Sequence, residues 1–215
     1  MALPGWAVLR ETGLWGWVLA GGIGLLVLLG LGFAGWSWYD AVQARGLGEL
    51  AEASRLAQEA ASLAERDAAV RKLEEAIARY PSNRHVHEAA YHLGNLRYDA
   101  QSYEAARGAY TLALARGARG TLALLCRLGI AYTWEAQGRS PEALAAYQEA
   151  LLRVRPGDFF YEEVLMGVAR AEELTGKPDL ALETYHRILR ELPETPRGGE
   201  IRWILARLEK PPGKK

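Results

Sequence analysis

The densest group of side chains able to do chemistry is the run from His85 to His92, which holds His85, His87, Glu88 and His92. Imidazoles and a carboxylate on one face can hold a divalent cation, and a zinc-protease helix sets two histidines four apart around a catalytic glutamate. Here His87 and His92 are five apart, so they diverge on a helix, and Tyr91 stands where the second ligand would be. His85, Glu88 and His92 could share a face, which leaves room only for an adventitious site. The run reads as a solvated helix start. The lone Cys126 excludes an internal disulfide, and its place near a helix start reads as a buried structural thiol. No phosphate-cradling glycine loop, Ser-His-Asp arrangement or paired metal carboxylates emerge elsewhere. The sequence predicts no catalytic residue, no metal and no cofactor, and function is expected to lie in binding.

The elements that must position any binding surface announce themselves by period. Ala69, Ala106, Ala143 and Ala181 are spaced 37, 37 and 38 residues apart. Each is followed four residues later by a bulky side chain: Leu73, Tyr110, Tyr147 or Tyr185. Three further on come Ala76, Ala113, Ala150 or Ile188, and a helix-ending proline follows at Pro81, Pro156 and Pro193. Small residues let two helices approach, and the large residue one turn on fills the next gap on the same face. Upstream, each copy carries another large–small pair: Leu56-Ala57, Leu93-Gly94, Ile130-Ala131 and Val168-Ala169. A turn between the helices is marked by Gly138 and by Gly176-Lys177-Pro178. Each copy is a helix–turn–helix hairpin, and hairpins at a fixed period stack because none buries its apolar face alone.

This pattern resembles the tetratricopeptide repeat (TPR) family, over Leu50 to Pro193. The resemblance implies an all-α solenoid of about four repeats. Departures stand at Arg127, where an aromatic is usual, and at Arg97 and Glu172, which hold a normally large apolar site. The leading helix of the first copy is expected over Leu50 to Arg66. The segment Glu200 to Lys210 sets Ile201, Ile204, Leu205 and Leu208 on one stripe, a C-terminal capping helix for the last repeat. In this family the inner wall comes from the first helix of each pair. That implies a protein-binding groove including Tyr91, Asn95, Tyr98, Tyr132, Met166 and Arg170. The Lys, Arg and Asn cluster by which chaperone-binding members grip a terminal carboxylate is missing, since only Asn95 and Arg170 could contribute.

From Thr12 to Tyr39 no residue is charged, which is long enough to cross a bilayer. Trp15 and Trp17 stand at one end, and Trp36, Trp38 and Tyr39 at the other, as aromatic belts do at the two water interfaces. The run is longer than a signal-peptide apolar region and ends in bulky aromatics, so an uncleaved anchor is expected. Gly16, Ala20 and Gly24 are spaced for helix–helix packing in lipid.

The expected layout is a short segment 1–13, a transmembrane helix 14–39, a linker 40–49, repeats 50–194, a cap 195–209 and a flexible tail 210–215. Basic flanking residues are few. The small excess before the span puts the amino terminus inside and the repeats outside the cytoplasm of a bacterial inner membrane. The 26 basic and 26 acidic residues balance, so there is no electrostatic footprint for nucleic acid and the expected partners are proteins. The layout resembles bacterial membrane-anchored envelope TPR proteins such as the ancillary subunit of the Sec translocon. It implies either a chaperone-like or assembly-related adaptor, or a permanent accessory subunit of a larger membrane complex.

Overall fold

The computed structural model describes residues 14–209, with the side chains of 14–16 left aside. The expected amino-terminal segment 1–13 and tail 210–215 lie outside the described residues, as do the surroundings of Gly16. Among the described residues there are nine helices and no strand. They are α1 (Leu14–Glu59), α2 (Leu63–Arg79), α3 (Val86–Asp99), α4 (Tyr103–Ala115) and α5 (Gly120–Ala136), then α6 (Ser140–Leu151), α7 (Tyr161–Leu174), α8 (Pro178–Glu191) and α9 (Gly198–Leu208).

The chain divides into two compact units between Gly48 and Glu49, within α1. In the first unit α1 is long and apolar enough to cross a membrane, and its apolar stretch buries none of its side chains. Trp17, Leu26, Phe33, Trp36 and Trp38 are all exposed. A methyl group added at Gly24 would meet nothing within 4 Å. Ala20 and Gly24 of the expected stripe therefore stand exposed, with no packing partner among the described residues.

Two sequence expectations fail at the start of the repeats. Residues 40–49 form no irregular linker but continue α1, because the residues around Gly46 and Gly48 are good helix formers. Nor does the first leading helix reach Arg66. It ends at Glu59, and α2 begins behind a capping box in which Ser62 and Glu65 satisfy each other's backbone N–H. The Ser-Leu-Ala-Glu spacing carries that signal in the sequence.

In the second unit, α3 packs on α4, α5 on α6 and α7 on α8, and each hairpin packs on the next through α4–α5 and α6–α7. All twelve periodic positions are buried: the four alanines, the bulky residue after each, and the closing Ala76, Ala113, Ala150 and Ile188. The contact that spaces the hairpins is a tyrosine ring lying where glycines have no side chain. A Cβ at Gly94 would lie 2.5 Å from Cε1 of Tyr110, and one at Gly129 would lie 2.6 Å from Cε2 of the same ring. Tyr110 on α4 is thus held between α3 of its own hairpin and α5 of the next. Tyr147 on α6 fills the same notch at Gly167 on α7. Turn glycines Gly138 and Gly176 adopt φ of 70° and 72°, and in the second hairpin Gln101 takes the equivalent conformation at 58°.

The departures from the repeat pattern come with partners. Arg97 pairs with Glu74 of α2. Arg127 reaches Glu149 of α6 at 3.3 Å. Glu172, buried at 6 % exposure, accepts a hydrogen bond from Thr184 of α8 at 2.8 Å. At the far end, α9 buries Ile201 and Leu205 in the core of the last hairpins and turns Glu200, Arg202 and Arg207 outward, with Trp203 exposed beside them. Charged residues on the outer face are what a terminal solenoid element requires.

Gly167→Val, which puts side-chain atoms inside the Tyr147 ring, should lower stability by about 1–3 kcal/mol or more, as overpacking does. Gly108→Ala, on an open helical site of α4 with nothing within 4 Å, should raise it by about 0.5–1 kcal/mol. Thermal melts of the full chain in detergent check both. Shifts of the same sign would contradict the notch.

Candidate functional site

The four aromatic and amide residues expected on the inner wall come together. Tyr91, Asn95 and Tyr98 of α3 and Tyr132 of α5 line one cavity of about 210 Å³, with Asp99, Leu125 and Phe160 completing the wall. Their spacing explains this. Tyr91, Asn95 and Tyr98 recur at steps of four and three, so they share a face of α3. Tyr91 lies 6.1 Å from the Tyr110 ring, which ties the wall to the wedge between hairpins. Asn95 accepts a hydrogen bond from the Tyr110 hydroxyl at 2.8 Å, which fixes its amide orientation. Tyr132 donates to Glu163 at 3.0 Å, and Glu163 in turn holds Arg197 at 2.8 Å. Burial, then Glu163, push the Tyr132 hydroxyl above its ordinary range, and burial also raises Tyr98. Both therefore remain neutral amphipathic rings at physiological pH. Asp99, Asn95 and the tyrosine hydroxyls give the apolar wall a polar edge.

The other two groove expectations do not hold. Met166 is buried at 3 % exposure in the core of the third and fourth hairpins, so it presents no surface. Arg170 is engaged within the chain. Its Nε and Nη2 donate to Glu135, the latter at 3.0 Å, and Glu135 also accepts from the Tyr147 hydroxyl. The same motif recurs one hairpin on, where Glu173 takes the Tyr185 hydroxyl and the Arg207 guanidinium. Twelve residues before Tyr147 and Tyr185 stand Glu135 and Glu173; twelve before Tyr110 stands Tyr98. The tyrosine–carboxylate–arginine bridge is thus absent from the second hairpin, and the aromatic cavity lies there instead. Sequence reasoning missed the bridge, although the spacing of Arg170 and Arg207, 37 apart, carries it.

The histidines do not converge on a site. His85 and His87 approach Glu88 at 3.7 and 3.9 Å, whereas His92 turns to Gln58 at 3.3 Å. Among the described residues no group of three such side chains is placed to hold a metal. Cys126 is fully buried, and burial pushes its thiol up to about 11.

Tetratricopeptide repeats are matched over residues 54–121 and 128–196. No curated protein sequence matches the chain. Among solved structures, a tetratricopeptide repeat protein from Parabacteroides merdae superposes with a TM-score of 0.63 at 18 % identity, covering 76 % of this chain and 60 % of its own. The chain therefore spans about three fifths of that protein. YrrB, described as a TPR protein with an unusual peptide-binding site, superposes with a TM-score of 0.57 at 16 % identity, over 77 % of this chain and 81 % of its own. The MamA protein gives 0.56 at 17 % identity, over 77 % and 80 %. At these identities the likeness establishes the fold.

The Glu135 bridge sets a pH dependence. Burial opposes ionisation of Glu135, but the bonds from Arg170 and Tyr147 outweigh it and hold the carboxyl below its ordinary range. A carboxyl lowered in the folded state stabilises above its unfolded pKa of about 4.3, and that contribution is lost as pH falls through the lower folded value. Thermal midpoints of the full chain measured from pH 7 to pH 3 should fall on the acid side, and Glu135→Gln should flatten that fall while lowering the midpoint at pH 7. Superimposable profiles would show that the bridge contributes nothing.

Proposed function

Because the chain belongs to the tetratricopeptide repeat family, we propose that it is a membrane-tethered scaffold that captures a segment of another protein on the tyrosine wall of its second and third hairpins. Repeats of this family mediate protein–protein contacts, and the observation that carries the assignment here is the cavity bounded by Tyr91, Tyr98 and Tyr132. Large amphipathic rings dominate binding at interfaces because they bury much apolar area with few rotatable bonds. A partner segment with apolar side chains would fill the cavity, and Asn95 and Asp99 would meet its backbone or a polar neighbour. The peptide-binding site for which YrrB is described supports extending such a role to this fold.

The tether is the apolar stretch of α1. Its exposed leucines and tryptophans form a surface that water would disfavour and a bilayer would cover. With the few basic residues on its amino-terminal side, the span carries the repeats to the outer face of a bacterial inner membrane. There the scaffold acts as an assembly or chaperone-like adaptor.

Topology is checked by protease added to spheroplasts: the repeats should be digested, and full protection until lysis would reverse the orientation. For the groove, a photo-crosslinking residue at Tyr98 should trap a partner that one at Glu183 on α8 does not. Tyr91→Ala/Tyr98→Ala/Tyr132→Ala should weaken capture at least 10-fold with an unchanged circular dichroism spectrum. Undiminished capture by the folded triple variant would remove the groove from the function.

A further inference from the structure

A larger cavity, of about 570 Å³, lies where the loop from α6 to α7 meets the start of α5, and it shares Phe160 with the tyrosine groove. Arg119, Arg127 and Arg153 line it together with Phe159, Phe160 and one carboxylate, Asp158. The guanidinium groups of Arg119 and Arg153 make no hydrogen bond or ion pair among the described residues. Arg127 is only partly committed, with Nε on Glu149 at 3.3 Å and Nη1 on the Ala123 carbonyl at 3.2 Å. Asp158, itself exposed, accepts the Arg155 backbone N–H at 2.8 Å and so closes its own loop. Beside these cations Phe159 is 88 % exposed and stacks edge-on against Phe160 at 5.0 Å. Nothing in the repeat core requires an exposed phenylalanine among arginines.

We propose that this cavity is a second docking site, which takes an acidic peptide segment whose carboxylates meet Arg119, Arg127 and Arg153 while an adjoining apolar side chain packs on Phe159 and Phe160. Charge complementarity names the occupant. Two guanidinium groups, those of Arg119 and Arg153, and the part of Arg127 that Glu149 leaves open share a lining with one carboxylate, and guanidinium binds carboxylate in a two-pronged geometry that a neutral partner cannot supply. The concave, aromatic shape distinguishes a peptide from a bilayer surface, which would touch the rim and leave the interior empty. The site shares Phe160 with the tyrosine groove but uses none of Tyr91, Tyr98 and Tyr132, so variants at the arginines and at Phe159 test it separately from the groove.

The test uses the full chain in detergent and fluorescence anisotropy of a labelled hexapeptide, Glu-Asp-Glu-Phe-Asp-Leu, against its amide counterpart, Gln-Asn-Gln-Phe-Asn-Leu. The acidic peptide should bind saturably and at least 10-fold more tightly than the amide one, with affinity falling as salt rises. Arg119→Glu/Arg153→Glu should reduce its affinity at least 10-fold, and Phe159→Ser at least 3-fold, at an unchanged thermal midpoint. Tyr98→Ala should leave it unaltered. The exposed, unpaired arginines make charge reversal compatible with folding; should the double variant melt early, Phe159→Ser decides. Absence of saturable binding, equal binding of the amide peptide, or indifference to these variants would overturn the proposal. So would binding only to phosphatidylglycerol vesicles that the double reversal abolishes, which would give the patch to the membrane.

Discussion

The solenoid depends on tyrosine rings seated in notches where a neighbouring helix has glycine. Tyr110 does this twice at once, between Gly94 and Gly129, and Tyr147 repeats it at Gly167. A ring inserted between two hairpins fixes their separation, because a close-packed interior yields little to added or missing volume. The small residues at Ala69, Ala106, Ala143 and Ala181 are then obligatory, since the helices have been drawn together. The hydroxyls of the same rings, though buried, each take a polar partner on the neighbouring helix, Asn95 for Tyr110 and Glu135 for Tyr147. One residue type therefore sets both the packing and the polarity of the wall.

That choice of partners divides the wall into two kinds of surface. Where the hydroxyl meets Glu135 or Glu173, an arginine from the next hairpin or from the capping helix α9 closes the bridge and the wall is satisfied from within. Where it meets Asn95, no arginine follows, and Tyr98 takes the place of the carboxylate. The aromatic cavity is the gap left in an otherwise repeating polar seam. A self-satisfied wall offers a partner little, because any new contact must displace a charged pair already made. The interrupted stretch has no such pair to displace.

Much of this was legible in the chain because the period of 37 residues is a packing constraint written four times. Every alanine, bulky and closing position it named is buried. The aromatic residues of the groove could be read because helical spacing decides which side chains share a face. Met166 and Arg170 were not legible on the same rule, since register places a residue on a wall without saying what covers it. Met166 enters the core, and Arg170 is claimed by a carboxylate 35 positions away. The end of α1 was misread for a local reason: a run of Ala, Leu and Glu favours helix throughout, and only the reciprocal Ser62–Glu65 cap breaks it. The arginine cavity had no sequence signal, because Arg119, Arg127 and Arg153 share no period.

The single thiol has a consequence for how the chain meets cysteine-bearing proteins. Burial raises the Cys126 thiol to about 11, so the protonated form dominates at neutral pH, and the thiolate is the form that attacks disulfides. The protein forms no bridge of its own and offers none to a passing partner. While the repeats stay folded, the chain can thus meet a cysteine-bearing protein without becoming covalently trapped, and no disulfide holds the described fold together.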